Sequence, residues 1–454
     1  MIHSFTFDGL NLVLDGGSGS LHLVDEGALK VINLYKQGHS LKEIPALLEG
    51  EVPDLSEVME EFCSLVDSGL LFAPPAPPPA PKPPGIIKAL CLHVAHDCNL
   101  SCRYCFAGQG SFSGPKSLMP EEVGFLAVDF LLARSGNRRN VEIDFFGGEP
   151  LMNFPVVRAV TAYAEEQARK LGKTFKFTLT TNGLLLEGEA ARYLKEKGFS
   201  LVLSLDGRPE VNDALRPLRG GGGSYAKIYP KIRDFIAGWD GNYTLRGTYT
   251  RRNLDFTRDV EYLTGLGFKN ISLEPVVGEE GPDYSLRLSD APILLEEYHR
   301  LARYYQAERK AGRPFSFFHF ILDLQGGPCL EKRVKGCGAG TEYLAVTPEG
   351  HLYPCHQFVG EEAFRMGDLR KGQWREDLAE VFAGANVFSK EACRTCWARF
   401  YCGGGCHANA FKRQGDLQGV DELGCLLEKK RLECALYLKA VENMEAAGEE
   451  APLP

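Results

Sequence analysis

The chain has 454 residues, 44% of them hydrophobic, and a formal net charge of −9 at pH 7. This length predicts two to four domains with a large buried core and excludes a small disulfide-stabilised protein. No basic N-terminal run precedes an apolar stretch, and no apolar stretch reaches membrane-spanning length, so we expect a cytoplasmic protein without a membrane partner.

Residues 1–72 predict a small N-terminal module of three strands followed by three helices. The predicted elements are Ile2–Phe7, Leu10–Leu14, Leu21–Val24, Ala28–Tyr35, Leu41–Leu48 and Leu55–Ser68. This order resembles a winged helix-turn-helix, and in particular the recognition element of peptide-modifying enzymes, to which a leader peptide adds as an extra strand. The module has three Lys, no Arg and twelve acidic residues. It therefore carries the whole net charge, which argues against nucleic acid as a partner and favours a basic peptide.

Residues 73–85 are rich in proline and predict an extended linker between the module and the rest of the chain. Residues 86–315 then alternate strand and helix. The predicted strands are Ala89–Val94, Val141–Phe146, Phe175–Thr180, Leu201–Leu205, Thr244–Thr250 and Asn270–Glu274. Six such units predict an α/β fold, a partial (β/α)6 barrel similar to a TIM barrel, with its active site at the carboxyl ends of the strands.

The first of these strands leads into three cysteines with the spacing CxxxCxxC, namely Cys98, Cys102 and Cys105. Three thiolates can hold three irons of a four-iron, four-sulfur cluster and leave the fourth iron open, whereas a closed structural zinc site needs four ligands. A zinc loop with a distant fourth ligand is the alternative. With Tyr104 and Phe106 beside the last cysteine, the run resembles the cluster loop of the radical S-adenosylmethionine (radical SAM) superfamily, in which SAM chelates the open iron.

The resemblance implies a SAM site at the neighbouring strand ends. Gly147-Gly148-Glu149-Pro150 resembles the motif that holds the SAM amino group, and Glu149 can accept from an ammonium. By the same resemblance Asn182 and Ser204 contact the carboxylate or ribose, Arg216 pairs with the carboxylate, and the segment at Glu274 lies near the adenine. The expected cofactor-binding residues are Tyr104, Phe106, Gly147, Gly148, Glu149, Asn182, Ser204, Asp206, Arg216 and Glu274. An ordinary strand-ending turn remains the alternative for each strand-end residue.

Residues 316–454 contain a second cysteine cluster, from Cys329 to Cys434. Its core spacing CxxCxxxxxCxxxC resembles the SPASM extension of radical SAM enzymes, which binds two auxiliary four-iron clusters. The resemblance assigns Cys393, Cys396, Cys402 and Cys425 to the distal cluster. It assigns Cys337, Cys355 and Cys406 to the nearer one, with Cys329 or a substrate cysteine as a fourth ligand. A pair of zinc ribbons is the alternative for the whole cluster, and we expect Cys434 to be a buried thiol.

The order of recognition module, barrel and double-cluster extension resembles SPASM maturases of ribosomally made peptides. The runs Gly336–Gly340 and Tyr353–Phe358 are most similar to the sactionine-type maturases of peptides with six cysteines in forty-five residues. This implies an oxidoreductase that makes Cys sulfur-to-carbon thioethers with SAM, three four-iron clusters, a precursor peptide and a reductant such as flavodoxin or ferredoxin.

Three alternatives remain, of which a DNA-binding metal sensor is disfavoured by the acidity of the N-terminal module. Sulfatase maturases, which make formylglycine, carry Asp as general base where this chain has His356, and a non-catalytic electron-transfer protein would need no SAM pocket. The general base is open among His356, Asp323 and Glu274.

Overall fold

The computed structural model describes residues 1–74, 77–78, 85–278, 281–324 and 334–448. Most of the predicted proline-rich linker and the predicted ligand Cys329 lie outside these ranges. No helix within them is long and apolar enough to cross a membrane.

The N-terminal module has the predicted elements. An antiparallel sheet of order β1-β2-β3 is followed by three helices, with bounds Ile2–Phe7 (β1), Leu10–Asp15 (β2), Leu21–Val24 (β3), Glu26–Lys36 (α1), Ile44–Leu47 (α2) and Leu55–Asp67 (α3). Val13, Val31, Ile44 and Phe62 form a separate small core with their neighbours. The role of this module as a winged helix-turn-helix recognition domain stays a prediction.

The central region is a large, mostly parallel sheet with helices packed on it, which confirms the predicted α/β class. Its first six strands are Ala89–Ala95 (β4), Asn140–Gly147 (β5), Thr174–Thr181 (β6), Ser200–Ser204 (β7), Tyr243–Tyr249 (β8) and Asn270–Pro275 (β9). Its helices are Glu121–Arg134 (α4), Phe154–Lys170 (α5), Gly188–Glu196 (α6), Pro209–Leu215 (α7), Tyr225–Ile236 (α8), Thr257–Gly265 (α9) and Ala291–Lys310 (α10). All six strands pair in parallel, in sequence order.

Alternation along the strands gives the sheet an apolar and a polar face. In β5, Val141, Ile143 and Phe145 are fully buried in the core beneath the helices, whereas Glu142 and Asp144 alternate with them on the opposite face. Because side chains point to alternate faces of a strand, the polar residues of neighbouring strands share one surface. The face of the sheet opposite these helices is therefore polar.

The C-terminal region extends the same sheet. Ser316–Phe317 (β10) pairs with β9, Tyr343–Val346 (β11) runs parallel to β4, and an antiparallel series follows as His351–Tyr353 (β12), Gly367–Asp368 (β13) and Gln373–Trp374 (β14). The helices of this region are Glu376–Gly384 (α11), Glu391–Arg394 (α12), Arg399–Cys402 (α13), His407–Gln414 (α14) and Glu422–Ala447 (α15). The predicted hairpin of β11 and β12 thus pairs with the edge of β4, and Cys355 follows β12 directly.

The N-terminal module is held on the central region by its first hairpin. Asp8 and Gly9 both have positive φ, 47° and 81°, as a two-residue hairpin turn requires. The Asp8 carboxylate accepts hydrogen bonds from His299 (2.9 Å) and from Nε of Arg303 (3.0 Å). Although burial acts to raise it, these two partners hold the pKa of Asp8 below its usual value.

We expect Asp8→Asn to weaken this docking without disturbing the turn, because Asn also tolerates positive φ. The loss is about 1 kcal/mol in the free energy of unfolding at pH 7, since Arg303 is half exposed. A carboxylate with a lowered pKa stabilises the fold above its ordinary pKa and loses that effect as the pH falls through the lowered value. Urea titrations should therefore show the difference between the two proteins shrinking below about pH 4.

The matched control is Glu51→Gln, which removes an exposed ion pair with Lys30 in the same module. It should change the unfolding midpoint little. Equal midpoints for Asp8→Asn and the unmodified protein at pH 7 would contradict the proposed docking contact.

Candidate active site

The three cysteines after β4 lie on a loop that is fixed by backbone hydrogen bonds to the region after β7. Ser101 N–H donates to Pro217 O (2.9 Å) and Arg103 N–H to Leu215 O (2.8 Å). Cys98, Cys102 and Cys105 all line one cavity of about 720 Å³ at the carboxyl edge of the sheet. The structure therefore brings the predicted triplet together at the predicted edge.

The donor set at this loop fits an iron-sulfur cluster. Burial raises the pKa of Cys98 to about 12 and that of Cys102 to about 11, and thiols of the triplet lie close enough to add to these shifts. Within the described ranges, no three His, Cys, Asp or Glu side chains are arranged to hold a single metal ion. Three thiols that line one cavity are the donor type that holds iron-sulfur clusters, and they leave one iron of a four-iron cluster without a protein ligand.

Gly147 and Gly148 let the end of β5 approach this loop directly. Gly148 N–H donates to Ala95 O (2.8 Å) and Glu149 N–H donates to Asp97 O (2.9 Å). A Cβ on either glycine would overlap the carbonyl oxygen of Ala95 or Asp97. Both glycines also line the cavity, so the requirement for glycine is the close approach of two backbones beside the thiols.

Glu149 is fully buried and is not among the residues that line the cavity. Its carboxylate accepts from Leu151 N–H (3.0 Å), Thr181 Oγ1 (2.8 Å) and Asn182 N–H (2.8 Å). Burial raises its pKa to about 7, although these hydrogen bonds oppose the shift. In this structure Glu149 ties the end of β5 to the end of β6, and none of these bonds is to an ammonium.

Asn182 connects the end of β6 to the cysteine loop. Its Nδ2 donates to Asn99 Oδ1 (2.7 Å) and lies 3.7 Å from Cys98 Sγ, while its Oδ1 accepts from Leu184 N–H (3.0 Å). Ser204, at the end of β7, also lines the cavity. Both predicted residues thus face the space beside the triplet.

Tyr104, Asp206 and Arg216 form a buried polar group under the cavity wall. Tyr104 Oη donates to Asp206 Oδ2 (2.7 Å) and accepts from Nη1 of Arg216 (2.9 Å). Burial raises the pKa of Asp206, and Arg216, at 3.7 Å, opposes that shift. Tyr104 and Arg216 line the cavity but Asp206 does not. Nε of Arg216 is buried without a partner among the described residues, which leaves a donor for an anionic group in the cavity.

The far wall of the cavity carries Glu274, Arg246 and Arg431. Glu274 accepts from Nε2 of His319 (2.9 Å). Although burial acts to raise it, His319 and the two arginines hold the pKa of Glu274 well below its usual range. Nε of Arg431 donates to Tyr298 Oη (2.8 Å). Sequence reasoning missed both arginines, because Arg246 sits within a strand and Arg431 within a long helix, where neither belongs to a motif.

The three candidates for a general base are placed differently. His356 lines the cavity between Phe106 and Phe146, with ring centroids 5.3 and 5.1 Å away, and burial lowers its pKa to about 4. Glu274 lines the cavity as an ion-paired carboxylate. Asp323 does not line it. Phe106, expected beside SAM, lies on the same wall as His356.

The C-terminal cysteines form two groups of neighbours. Burial raises the pKa of Cys355 to about 12, and Cys406 and Cys337 add to the shift. Burial likewise raises the pKa of Cys425 to about 11, with Cys393 and Cys396 adding to it, and Cys425 in turn adds to the raised pKa of Cys402. The division of these cysteines into two ligand sets stays a prediction, and the predicted ligand Cys329 lies outside the described residues.

Each group reaches the cavity through two of its thiols. Cys337 and Cys406 of the nearer group and Cys402 and Cys425 of the distal group line it, whereas Cys355, Cys393 and Cys396 do not. Cys434 is fully buried, with its thiol donating to Tyr298 O at 3.4 Å, as expected for a buried thiol.

Comparison with known proteins agrees with this geometry. Residues 92–244 match the model of the radical SAM superfamily, and residues 337–397 match SPASM, an iron-sulfur cluster-binding domain. A PqqA peptide cyclase from Streptomyces rochei is 28% identical over 74% of this chain and 89% of its own length. A serine-type anaerobic sulfatase-maturating enzyme from Klebsiella aerogenes is 23% identical over 73% of this chain and 82% of its own length.

Among solved structures, anSMEcpe with bound AdoMet superimposes with a TM-score of 0.66 at 21% identity, over 79% of this chain and 95% of the other. This likeness shows a shared fold. The two matched domains support SAM and iron-sulfur clusters as cofactors. The chain therefore combines a radical SAM domain with a SPASM iron-sulfur domain, and it is homologous to peptide-modifying maturases and to anaerobic sulfatase maturases.

Proposed function

We propose that this protein installs thioether crosslinks between a Cys sulfur and a carbon of another residue in a ribosomally made precursor peptide. One observation carries the proposal. The cavity beside Cys98, Cys102 and Cys105 is also lined by Cys337 and Cys406, which belong to the nearer C-terminal group. A substrate between these two walls would meet a hydrogen-abstracting site on one side and a thiolate-binding site on the other.

When bound, a cluster on the triplet would supply the electron that cleaves SAM to methionine and a 5′-deoxyadenosyl radical, and the C-terminal clusters would supply an electron acceptor. Hydrogen abstraction from the peptide gives 5′-deoxyadenosine and a carbon radical. Bond formation between that carbon and a substrate thiolate releases one electron and follows loss of the thiol proton. The peptide therefore loses two hydrogens for each crosslink.

The chain's own residues position and shield this chemistry. Gly147 and Gly148 hold the end of β5 against the cysteine loop, and Asn182 holds the end of β6 against it. Tyr104 and Asp206 orient Arg216, and the lack of a partner for its Nε among the described residues supports the proposal that Arg216 binds the SAM carboxylate. Phe106, Phe146 and His356 form an aromatic wall that excludes water.

The N-terminal module is proposed to bind the leader of the precursor. Among the described residues, β3 pairs only with β2, so its outer edge can accept a peptide strand. Leu70, which follows α3, reaches β3 through its carbonyl oxygen, 3.1 Å from Nε2 of His22. The exposed side of α3 includes Glu60 and Asp67, which favour a basic leader. A flavodoxin or ferredoxin is the proposed electron donor.

The reaction is tested by anaerobic incubation of the reconstituted protein with SAM, dithionite and a small Cys-containing precursor peptide. Mass spectrometry should show loss of two hydrogens per crosslink, with release of 5′-deoxyadenosine. Cys105→Ala should abolish both products, whereas Cys406→Ala should keep SAM cleavage and lose the crosslink. A formylglycine product, or SAM cleavage without any change in peptide mass, would contradict thioether formation.

The SAM site is tested by equilibrium binding to the reconstituted protein. Arg216→Met should weaken SAM binding at least ten-fold, about 1.4 kcal/mol, because it removes a buried charged donor. The matched control is Arg219→Met, since Arg219 is half exposed and pairs with Asp97 on the same loop. Unchanged affinity in Arg216→Met would remove Arg216 from the site.

Leader binding is tested by fluorescence anisotropy with a labelled precursor peptide. Glu60→Lys should lower the affinity by roughly 1 kcal/mol, about five-fold, because it reverses a charge that faces the basic leader. Added salt should reduce the difference in peptide affinity between Glu60→Lys and the unmodified protein. Glu51→Lys, elsewhere on the module, serves as the control for net charge. An equal loss for both variants would indicate attraction to net charge rather than a leader site beside α3.

A further inference from the structure

Lys390 is a buried lysine that has no role in the proposed reaction as described so far. It precedes α12, and its side chain is fully buried. Its ammonium donates to two backbone carbonyl oxygens, those of Gly404 (3.0 Å) and Gly419 (3.1 Å). Among the described residues no carboxylate lies within ion-pairing distance of this ammonium, although Lys is almost never buried without a charged partner.

The groups that face Lys390 are the thiols of both C-terminal cysteine groups. Cys393, Cys402 and Cys425 belong to the distal group and Cys406 to the nearer one, and all four act electrostatically on Lys390. The ammonium binds the middle of the loop that joins Cys402 to Cys406, where Gly403, Gly404 and Gly405 all have positive φ. Lys390 thus binds the short loop that joins Cys402, assigned to the distal group, to Cys406, assigned to the nearer one.

A buried charge in this region has an unfavourable desolvation free energy unless an opposite charge lies beside it. The Lys390 side chain is fully buried, and Cys393, three residues further along the chain, is buried as well. A lone buried ammonium and lone buried thiolates are both expensive, whereas their mutual attraction in a poorly polarisable interior is large. The side chain is therefore stable as a cation only beside an anionic group.

We infer that Lys390 is the counter-cation shared by the two auxiliary cluster sites and that it raises their reduction potentials. The inference rests on the proposed binding of iron-sulfur clusters by these cysteines. Reduction adds one electron, and hence one negative charge, to a cluster, and a fixed cation nearby favours the reduced form. Such a cation would help these sites to accept the electron released when the thioether forms.

The test is a redox titration with dithionite, followed by electron paramagnetic resonance. It uses the full chain, reconstituted anaerobically, in a background in which Cys98, Cys102 and Cys105 are replaced by Ala, so that only auxiliary clusters are observed. Lys390→Met should shift at least one auxiliary cluster to a more negative potential, by a tenfold change in the reduction equilibrium or more, which is 59 mV for one electron. Lys390→Arg, which keeps the charge, should remain close to the background protein.

The matched control is Lys429→Met. Lys429 also acts on Cys393 and Cys425 but is partly exposed, so solvent screens its charge and the shift should be small. The inference would also be supported if Lys390→Arg binds iron-sulfur clusters while Lys390→Met and Lys390→Gln do not. If none of the three variants binds clusters, the role of Lys390 is packing and the inference is overturned. Unchanged potentials in fully loaded Lys390→Met would overturn it as well.

The same experiment separates this inference from the proposed function. A background protein that shows auxiliary clusters with potentials insensitive to Lys390 contradicts the inference alone. A background protein that binds no iron-sulfur cluster at the C-terminal cysteines contradicts the proposed function, and the inference fails with it.

Discussion

The close contact between the end of β5 and the loop after β4 is the constraint on which the rest of the site depends. Two backbone hydrogen bonds, from Gly148 to Ala95 and from Glu149 to Asp97, join these segments where no Cβ would fit. Because Cys98 follows Asp97 directly, this contact fixes the first thiol of the triplet. The Glu149 carboxylate then fixes the end of β6, because it accepts hydrogen bonds from Thr181 and Asn182. Three strand ends are thus held in one arrangement before any ligand binds.

Burial of carboxylates on the polar face of the sheet costs desolvation free energy. Cationic or hydrogen-bonding side chains beside each carboxylate offset this cost. Asp206 is balanced by Arg216 and Tyr104, and Glu274 by His319 and Arg431. Removal of one partner from such a buried pair is costly because it leaves an uncompensated charge. Lys390 departs from this pattern, since its nearest possible counter-charges are cysteine thiols.

Local sequence signals were sufficient for the parts of the fold that depend on neighbours along the chain. Short-range hydrophobic periodicity predicts the strands of the sheet and the elements of residues 1–72. The spacing of the cysteines can be read directly from the sequence. Pairing of β11 with β4 was not predicted, because it joins segments about 250 residues apart and no local pattern specifies such a partner. The same reason explains why Arg246 and Arg431 were missed.

The direction in which a side chain points also could not be predicted from the sequence. Glu149 and Asp206 were expected to touch the cofactor, and both occur at strand ends beside the cavity. In the structure their carboxylates turn into the protein, where backbone N–H groups and Tyr104 satisfy them. A motif fixes which residues come near a site, whereas the competition among buried donors decides which of them face it.

The central claim is that one cavity holds SAM on the open iron of a cluster at Cys98, Cys102 and Cys105, facing the C-terminal cysteines. The most direct measurement is the electron paramagnetic resonance spectrum of the anaerobically reconstituted, reduced protein before and after addition of SAM. We expect SAM to change the signal of one cluster and this cluster to be missing in Cys102→Ala, while the signals from the C-terminal sites remain. A spectrum that SAM leaves unchanged in fully loaded protein would contradict it.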